Sequence, residues 1–203
     1  MDIYFSPLAC SLASRIALYE SRQEADFHRV DTKAGKTASG EDYRAINPKG
    51  LVPALRTDDG AVLTENAAIL QYIADRRPDA GLAPAGFARY QLQQWLSFIG
   101  SELHKTVFTP LLSPTWPPEG KAKAKQDAAS RFAYLNDHLT GRDWLLDDFS
   151  VADAYLAAVL NWNAAVKFDF SAYPAIVAYQ KRLGTRPAVG RAMAEEFALY
   201  QPA

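Results

Sequence analysis

Four places in the chain hold side chains whose types and spacing could do chemistry. Cys10 is the only cysteine and follows Ser6-Pro7, where a strand candidate gives way to a helical pattern. Unpaired backbone N–H groups and the helix dipole favour an anion at such a point. Thiolates seated there have pKa values of about 3.5 to 7.5, against about 8.5 for a free cysteine. Cys10 is therefore a candidate reactive thiol, the plainer alternative being a small packed hydrophobe. Ser11 beside it could cap the helix or orient a second thiol. Thr64-Glu65-Asn66 is a strand-to-helix junction with an acidic side chain and free N–H groups, which suits a zwitterionic amino-acid end. Its ammonium would sit on Glu65 and its carboxylate on the helix N-terminus, although an acidic residue in a first turn also complements the dipole with no ligand present. Val52-Pro53 precedes another strand, where a cis bond would turn the Val52 backbone outward; local sequence leaves cis and trans open. His104 belongs to the helical stripe Ser97, Ser101, His104, Phe108. That stripe could wall a polar cleft, or be a solvated face with an incidental histidine. His28 and His138 have no partner pattern.

The elements that must position these groups fall into two regimes. Asp2 to Phe5 reads as a strand, and Leu12, Ile16 and Tyr19 then recur at helical spacing to about Ser21. Phe27 to Val30 is a second strand, followed by a polar stretch from Asp31 to Gly40 and a short helix that must stop near Asn47-Pro48. Val52 to Leu55 and Ala61 to Leu63 read as strands joined by Asp58-Asp59-Gly60. Thr64 stands where an N-cap would, before a stripe of Ile69, Tyr72 and Ile73 that ends ahead of Pro78. The order is βαβαββα.

Beyond Pro78 strand-like alternation stops. Leu92, Trp95, Leu96, Ile99 and Leu103 share one helical face, and Ala128, Phe132, Leu135 and Leu139 share another. Ser113 to Pro118 between them is a breaker cluster that only a loop accommodates. Ser150 with Asp153 has the spacing of a capping box. Val151 to Leu160, apolar on nearly every face, should be a central buried helix. Ile176, Val177 and Leu183 mark a further helix, and Val189 to Phe197 a last one. Trp95, Trp144 and Trp162 read as core residues. We expect an α+β chain: a domain over residues 1–78, a linker over 79–86 and an all-helical domain over 87–203.

Composition narrows the function classes. The 203 residues are 49% hydrophobic, and 22 Lys and Arg face 23 Asp and Glu, for a net charge of -1. Nothing in that balance would neutralise a row of phosphates, so nucleic acid is not an expected partner. The longest apolar run, Ala154 to Leu160, is far short of the roughly 18 residues of a membrane span. Asp2, Ser6 and Pro7 break the pattern of a secretion signal, so a cytoplasmic location is expected. One cysteine excludes an internal disulfide, a CxxC pair and a multi-cysteine metal site, and no metal is expected.

Five motifs in order, SPLACSLASRIAL, KTASGEDYRAINPKGLVPAL, LTENAAILQYIAD, QQWLSFIGSELHK and FSVADAYL, resemble the cytosolic glutathione transferases, most closely the bacterial beta class. The resemblance spans essentially the whole chain. It implies a thioredoxin-like N-terminal domain, an all-helical C-terminal domain, a homodimer and glutathione as co-substrate. It implies a cis Pro53, a Val52 backbone paired with the tripeptide, Glu65 and Asn66 at the γ-glutamyl end, and Cys10, His104 and Lys105 around the sulfur and peptide. Departures accompany it. Asn66 stands where Ser or Gly is common, Leu51 where a polar residue is frequent, and Gly35 where a basic residue often lies, leaving Lys36 for the glycyl carboxylate. Ser97 replaces an asparagine that in relatives reaches across the dimer interface. The implied reaction activates the glutathione thiol and joins it to a small hydrophobic electrophile, which we expect between Leu8-Ala9 and Phe108, Trp116 and Trp162. Two rivals are a monothiol disulfide reductase working through Cys10 and a non-catalytic carrier of apolar ligands.

Overall fold

The computed structural model describes residues 1–200. Strand β1 (Asp2–Phe5) has Ile3, Tyr4 and Phe5 all buried, as a strand covered on both faces must. It lies at the middle of a five-stranded sheet of order β3-β2-β1-β4-β5. β1 runs parallel to β2 (Asp26–Asp31), with Ile3 opposite Phe27, and antiparallel to β4 (Ala54–Arg56), with Ile3 opposite Leu55. β4 turns back on β5 (Val62–Thr64) through Gly60, whose φ of +89° only glycine adopts easily. Helix α1 (Leu12–Glu20) makes the crossover that the parallel pair requires, and every residue from Leu12 to Leu18 is buried. α2 (Tyr43–Ile46) starts on Asp42, whose carboxylate accepts the Arg44 N–H, and stops before Asn47-Pro48.

In the sheet half the expected strand from Val52 loses Val52 and Pro53, which precede β4 in the loop, and two further details depart from the sequence reading. The polar stretch after β2 contains a further edge strand, β3 (Lys36–Thr37), too short for any periodicity to reveal. Thr64 ends β5 and does not cap the next helix. Glu65 occupies the cap position with φ +71°, and α3 runs from Asn66 to Arg76. Pairing with β4 fixes Thr64 in extended backbone, which moves the cap one residue on.

The rest is helical. α4 (Phe87–Phe98) continues without a break into a π-helical stretch, Ile99–Phe108, then α5 (Thr109–Leu112). In the widened stretch the Thr106 and Thr109 hydroxyls donate to the carbonyls of Ser101 and His104, five residues back. α6 (Pro118–Leu139) buries Ala128, Phe132, Leu135 and Leu139; Pro118 opens it instead of ending the loop, since proline suits a first helical turn. α7 (Val151–Asn161) is buried from Val151 to Leu160 and begins with the expected capping box, in which Asp153 accepts the Ser150 N–H at 2.9 Å. α8 (Asn163–Val166), α9 (Pro174–Gly184) and α10 (Pro187–Leu199) complete the chain. Ile176 and Leu183 are buried, whereas Val177 faces solvent. α1 packs against α3, α7 and α10, so the helix behind the Cys10 turn is gripped from both halves of the molecule. Among the described residues no helix is long and apolar enough to cross a membrane.

Candidate active site

Two cavities meet at Cys10 and His104, and the smaller holds most of the charged and hydrogen-bonding side chains. One, of about 270 Å³, is lined by Lys49, Leu51, Val52, Pro53, Thr64, Glu65, Asn66, Ser101, Lys105 and Tyr155. The other, of about 650 Å³, is mainly apolar and lies between Pro7-Leu8-Ala9 and Leu112, Trp162, Ala165, Phe197 and Tyr200. Cys10 and His104 line both.

The first cavity is built by three elements. The loop between α2 and β4 is tied down at Leu51, whose carbonyl accepts both the Tyr43 hydroxyl at 2.8 Å and the Asn47 amide at 2.7 Å. This holds the Val52–Pro53 peptide, which is cis, at the cavity wall. The start of α3 supplies Glu65 and Asn66. Glu65 pairs with Lys49, whose ammonium also donates to the Thr64 hydroxyl at 2.9 Å. Asn66 is buried and donates its amide to the Cys10 carbonyl at 2.9 Å, while its own side-chain oxygen has no hydrogen-bond partner among the described residues. The π-helical stretch supplies His104 and Lys105 from the opposite side.

Local charge differs from what the chain position of Cys10 suggests. The expected low thiol pKa is overturned: burial pushes it up to about 11, although the Lys105 ammonium and nearby backbone N–H groups pull it down. Ser11 holds the N-cap position of α1, so Cys10 lies one residue before it, and the Cys10 thiol donates to the Val52 carbonyl at 3.3 Å. It is a hydrogen-bond donor at neutral pH. His104 is held neutral, its pKa lowered to about 4 by burial and then by the Lys105 charge. Its Nδ1 lies 2.9 Å from the Tyr155 hydroxyl, and its ring meets Trp162 edge-on. Burial likewise raises the Tyr155 pKa, so the phenol stays protonated.

The other sequence-selected residues divide. Val52, Pro53, Leu51, Glu65, Asn66 and Lys105 line the polar cavity, and Leu8, Ala9 and Trp162 the apolar one. Ser11 does neither of the jobs foreseen for it. It is fully buried, and its hydroxyl exchanges hydrogen bonds with the Ser6 backbone, closing the turn with no capping bond to α1. Lys36 lies on the edge strand β3 and Ser97 on the exposed face of α4; neither lines either of these two cavities. Phe108 is buried against Phe132 behind Trp162, and Trp116 lies exposed in the loop before α6, so both leave the electrophile pocket. Helical widening rotates positions beyond Ile99 relative to a regular α-helix, which turns Phe108 inward. Trp162 is no plain core residue: its indole N–H donates to the Leu8 carbonyl at 2.8 Å.

Sequence reasoning missed Lys49 and Tyr155 on the polar side and Phe197 and Tyr200 on the apolar side. Tyr155 had a usable signal, because a phenol in a helix apolar all round needs a buried partner. Phe197 and Tyr200 had none, since nothing local says that the end of α10 returns to the Cys10 turn.

The comparisons agree with this geometry. The family described as "Glutathione S-transferase, N-terminal domain" matches residues 9–76, and "Glutathione S-transferase, C-terminal domain" matches residues 101–187. Glutathione S-transferase GstA of Escherichia coli O157:H7 is 42% identical over 199 residues, covering 97% of this chain and 98% of that protein. A sphingomonad glutathione S-transferase solved in complex with glutathione is 48% identical with a TM-score of 0.93, covering 97% of this chain and 99% of that one. The bacterial beta class enzyme of Sphingomonas chungbukensis is 45% identical with a TM-score of 0.92, covering 97% and 98%. With a thioredoxin-like sheet, a helical second half and this likeness over nearly its full length, the chain belongs to the glutathione S-transferase family.

Proposed function

We propose that this glutathione transferase seats the tripeptide in the polar cavity and joins its sulfur to a small apolar electrophile held in the larger one. The observation that carries this reading is the sharing of Cys10 and His104 by the two cavities. A sulfur delivered from the polar side meets the apolar side at these two residues. The γ-glutamyl ammonium pairs with Glu65, and its carboxylate takes the free N–H groups at the start of α3. The peptide runs along Leu51-Val52, with Lys105 on the facing wall as the cation for its far carboxylate in place of Lys36.

Activation of the sulfur is electrostatic. An imidazole whose pKa is pulled to about 4 relays a proton and does not keep it. Stabilising the thiolate therefore falls to the Cys10 S–H and the Lys105 charge. A peptide N–H arriving at the Val52 carbonyl competes for the acceptor that Cys10 now uses, freeing the thiol proton to turn toward the incoming sulfur. Cys10 held as a donor also favours conjugation over the reductase reading, because exchange needs a thiolate at Cys10. Cys10→Ala should abolish disulfide exchange while leaving substantial conjugation. A carrier would show little turnover with any electrophile at saturating glutathione.

We further propose a homodimer, for which the exposed aromatics Phe87 and Tyr90 on α4 and Tyr134 on α6 offer surface, and a cytoplasmic setting, where thiols stay reduced. Sedimentation and cell fractionation check these. Calorimetric titration with glutathione tests the main reading. Glu65→Ala should weaken binding about tenfold or more, the worth of one hydrogen bond to a charged group, and equal affinity in the two proteins would remove the site.

A further inference from the structure

The turn that presents Cys10 is built on an unsuitable residue. The Ala9 N–H donates to the Ser6 carbonyl at 3.0 Å, with Pro7 and Leu8 between them and Leu8 at φ +58°. That is the pattern of a type II turn, which calls for glycine at the third position. Leucine there strains the backbone and persists only if its surroundings hold it. Both backbone groups of Leu8 are held from the helical half. Its N–H donates to Glu196 of α10 at 2.8 Å, and its carbonyl accepts the Trp162 indole N–H at 2.8 Å. Glu196 is wholly buried, and its other oxygen accepts Arg15 Nε at 2.9 Å. Arg15 in turn lies 3.7 Å above the Phe27 ring and reaches Glu195, so the carboxylate has one place to be.

We infer that Glu196 and Trp162 are positioning residues that clamp Leu8 from both sides, holding the Cys10 thiol against Val52 and the Leu8-Ala9 wall of the apolar cavity in place. Binding energy between the two halves of the chain is thereby used to maintain a strained turn two residues from Cys10. The significance of the clamp for conjugation rests on the reading above, but its existence can be tested without glutathione. The readout is the rate at which iodoacetamide alkylates Cys10, the only thiol, at pH 8, with circular dichroism and thermal melting to confirm folding. Glu196→Gln cannot serve Arg15 and Leu8 as a carboxylate does, and Trp162→Phe keeps an aromatic ring but loses the N–H. Each should raise the alkylation rate about fivefold or more as the turn relaxes and the thiol leaves the Val52 carbonyl. Adding Leu8→Gly to Glu196→Gln should bring the rate back toward that of the unaltered protein, because glycine adopts φ +58° unaided. A tie that merely joins the halves would lower the melting temperature, leave alkylation unchanged and gain nothing from glycine at position 8; that result overturns the inference. If Glu196→Gln does not fold, unchanged alkylation in folded Trp162→Phe overturns it alone. Failure of the unaltered protein to bind glutathione would instead count against the functional reading.

Discussion

Titrating Cys10 in the ligand-free protein sets two physical arguments against each other. Its place just before a helix favours a thiolate, whereas burial pushes its pKa from 9.0 up to about 11. At pH 8 a thiol of pKa 9.0 is about 10% ionised and one of pKa 11 about 0.1%, so alkylation should run about a hundredfold slower than for a small unhindered thiol. The rate should keep climbing about tenfold per pH unit beyond pH 9, where a free thiol has begun to level off. The same difference appears in stability. The folded state holds its proton more tightly than the unfolded chain, so stability is intact below pH 9 and falls as pH rises toward 11, by about 3 kcal/mol in all. Lys105→Ala removes the charge that opposes burial and should move the inflection still higher. The assay is pH-dependent alkylation followed by mass spectrometry, with urea unfolding at matched pH values. An inflection at or below pH 8, or an inflection that falls in Lys105→Ala, would refute the claim that desolvation outweighs the helix terminus.

Other outcomes follow from the same geometry. His104 has its pKa lowered from 6.5 to about 4. The unfolded chain therefore takes up a proton that the fold refuses, and stability should fall by about 3 kcal/mol as pH drops from 6.5 to 4, a loss that urea unfolding should find reduced in His104→Gln. Tyr155→Phe removes the hydroxyl that orients His104; kcat should drop several-fold while the glutathione affinity measured by calorimetry holds, and parallel loss of both would mean general loosening. The buried Asp153 carboxylate accepts from Leu145, Ser150 and Tyr179. Asp153→Ala strands these donors and should cost about 3 kcal/mol or more in urea unfolding. Phe197→Ala, at the mouth of the apolar cavity, should raise KM for an apolar electrophile and leave glutathione affinity within about twofold.

Much of the molecule was legible in one dimension because its signals are local. The apolar stripe from Leu92 to Leu103, the Ser150 and Asp153 box and the all-round apolar α7 each state a burial pattern that neighbours along the chain already impose. The order of elements and the break after Pro78 follow for the same reason. The Val52-Pro53 edge and the Glu65-Asn66 junction stood out on local chemistry, and the five motifs added the family and with it their roles toward the tripeptide. Part of what failed depended on pairing or on winding. β3 exists only because Val30 and Asp31 lie beside it, and Thr64 lost its capping role to the β4 hairpin. Phe108 left the pocket because the helix widens before it.

The chemistry of the site shows the division most plainly. Sequence alone established that the chain has one thiol, that this thiol stands at a strand-to-helix turn, and that an acidic junction and a Val-Pro edge accompany it. Only the tertiary structure decided its protonation, because that depends on water excluded by residues far away in sequence and on which carbonyl lies opposite. The same holds for Leu8: no reading of Ser6-Pro7-Leu8-Ala9 reveals that a carboxylate 188 residues onward holds the turn together. Hydrophobic periodicity is a property of short segments, whereas desolvation and strain are sums over everything the fold brings near.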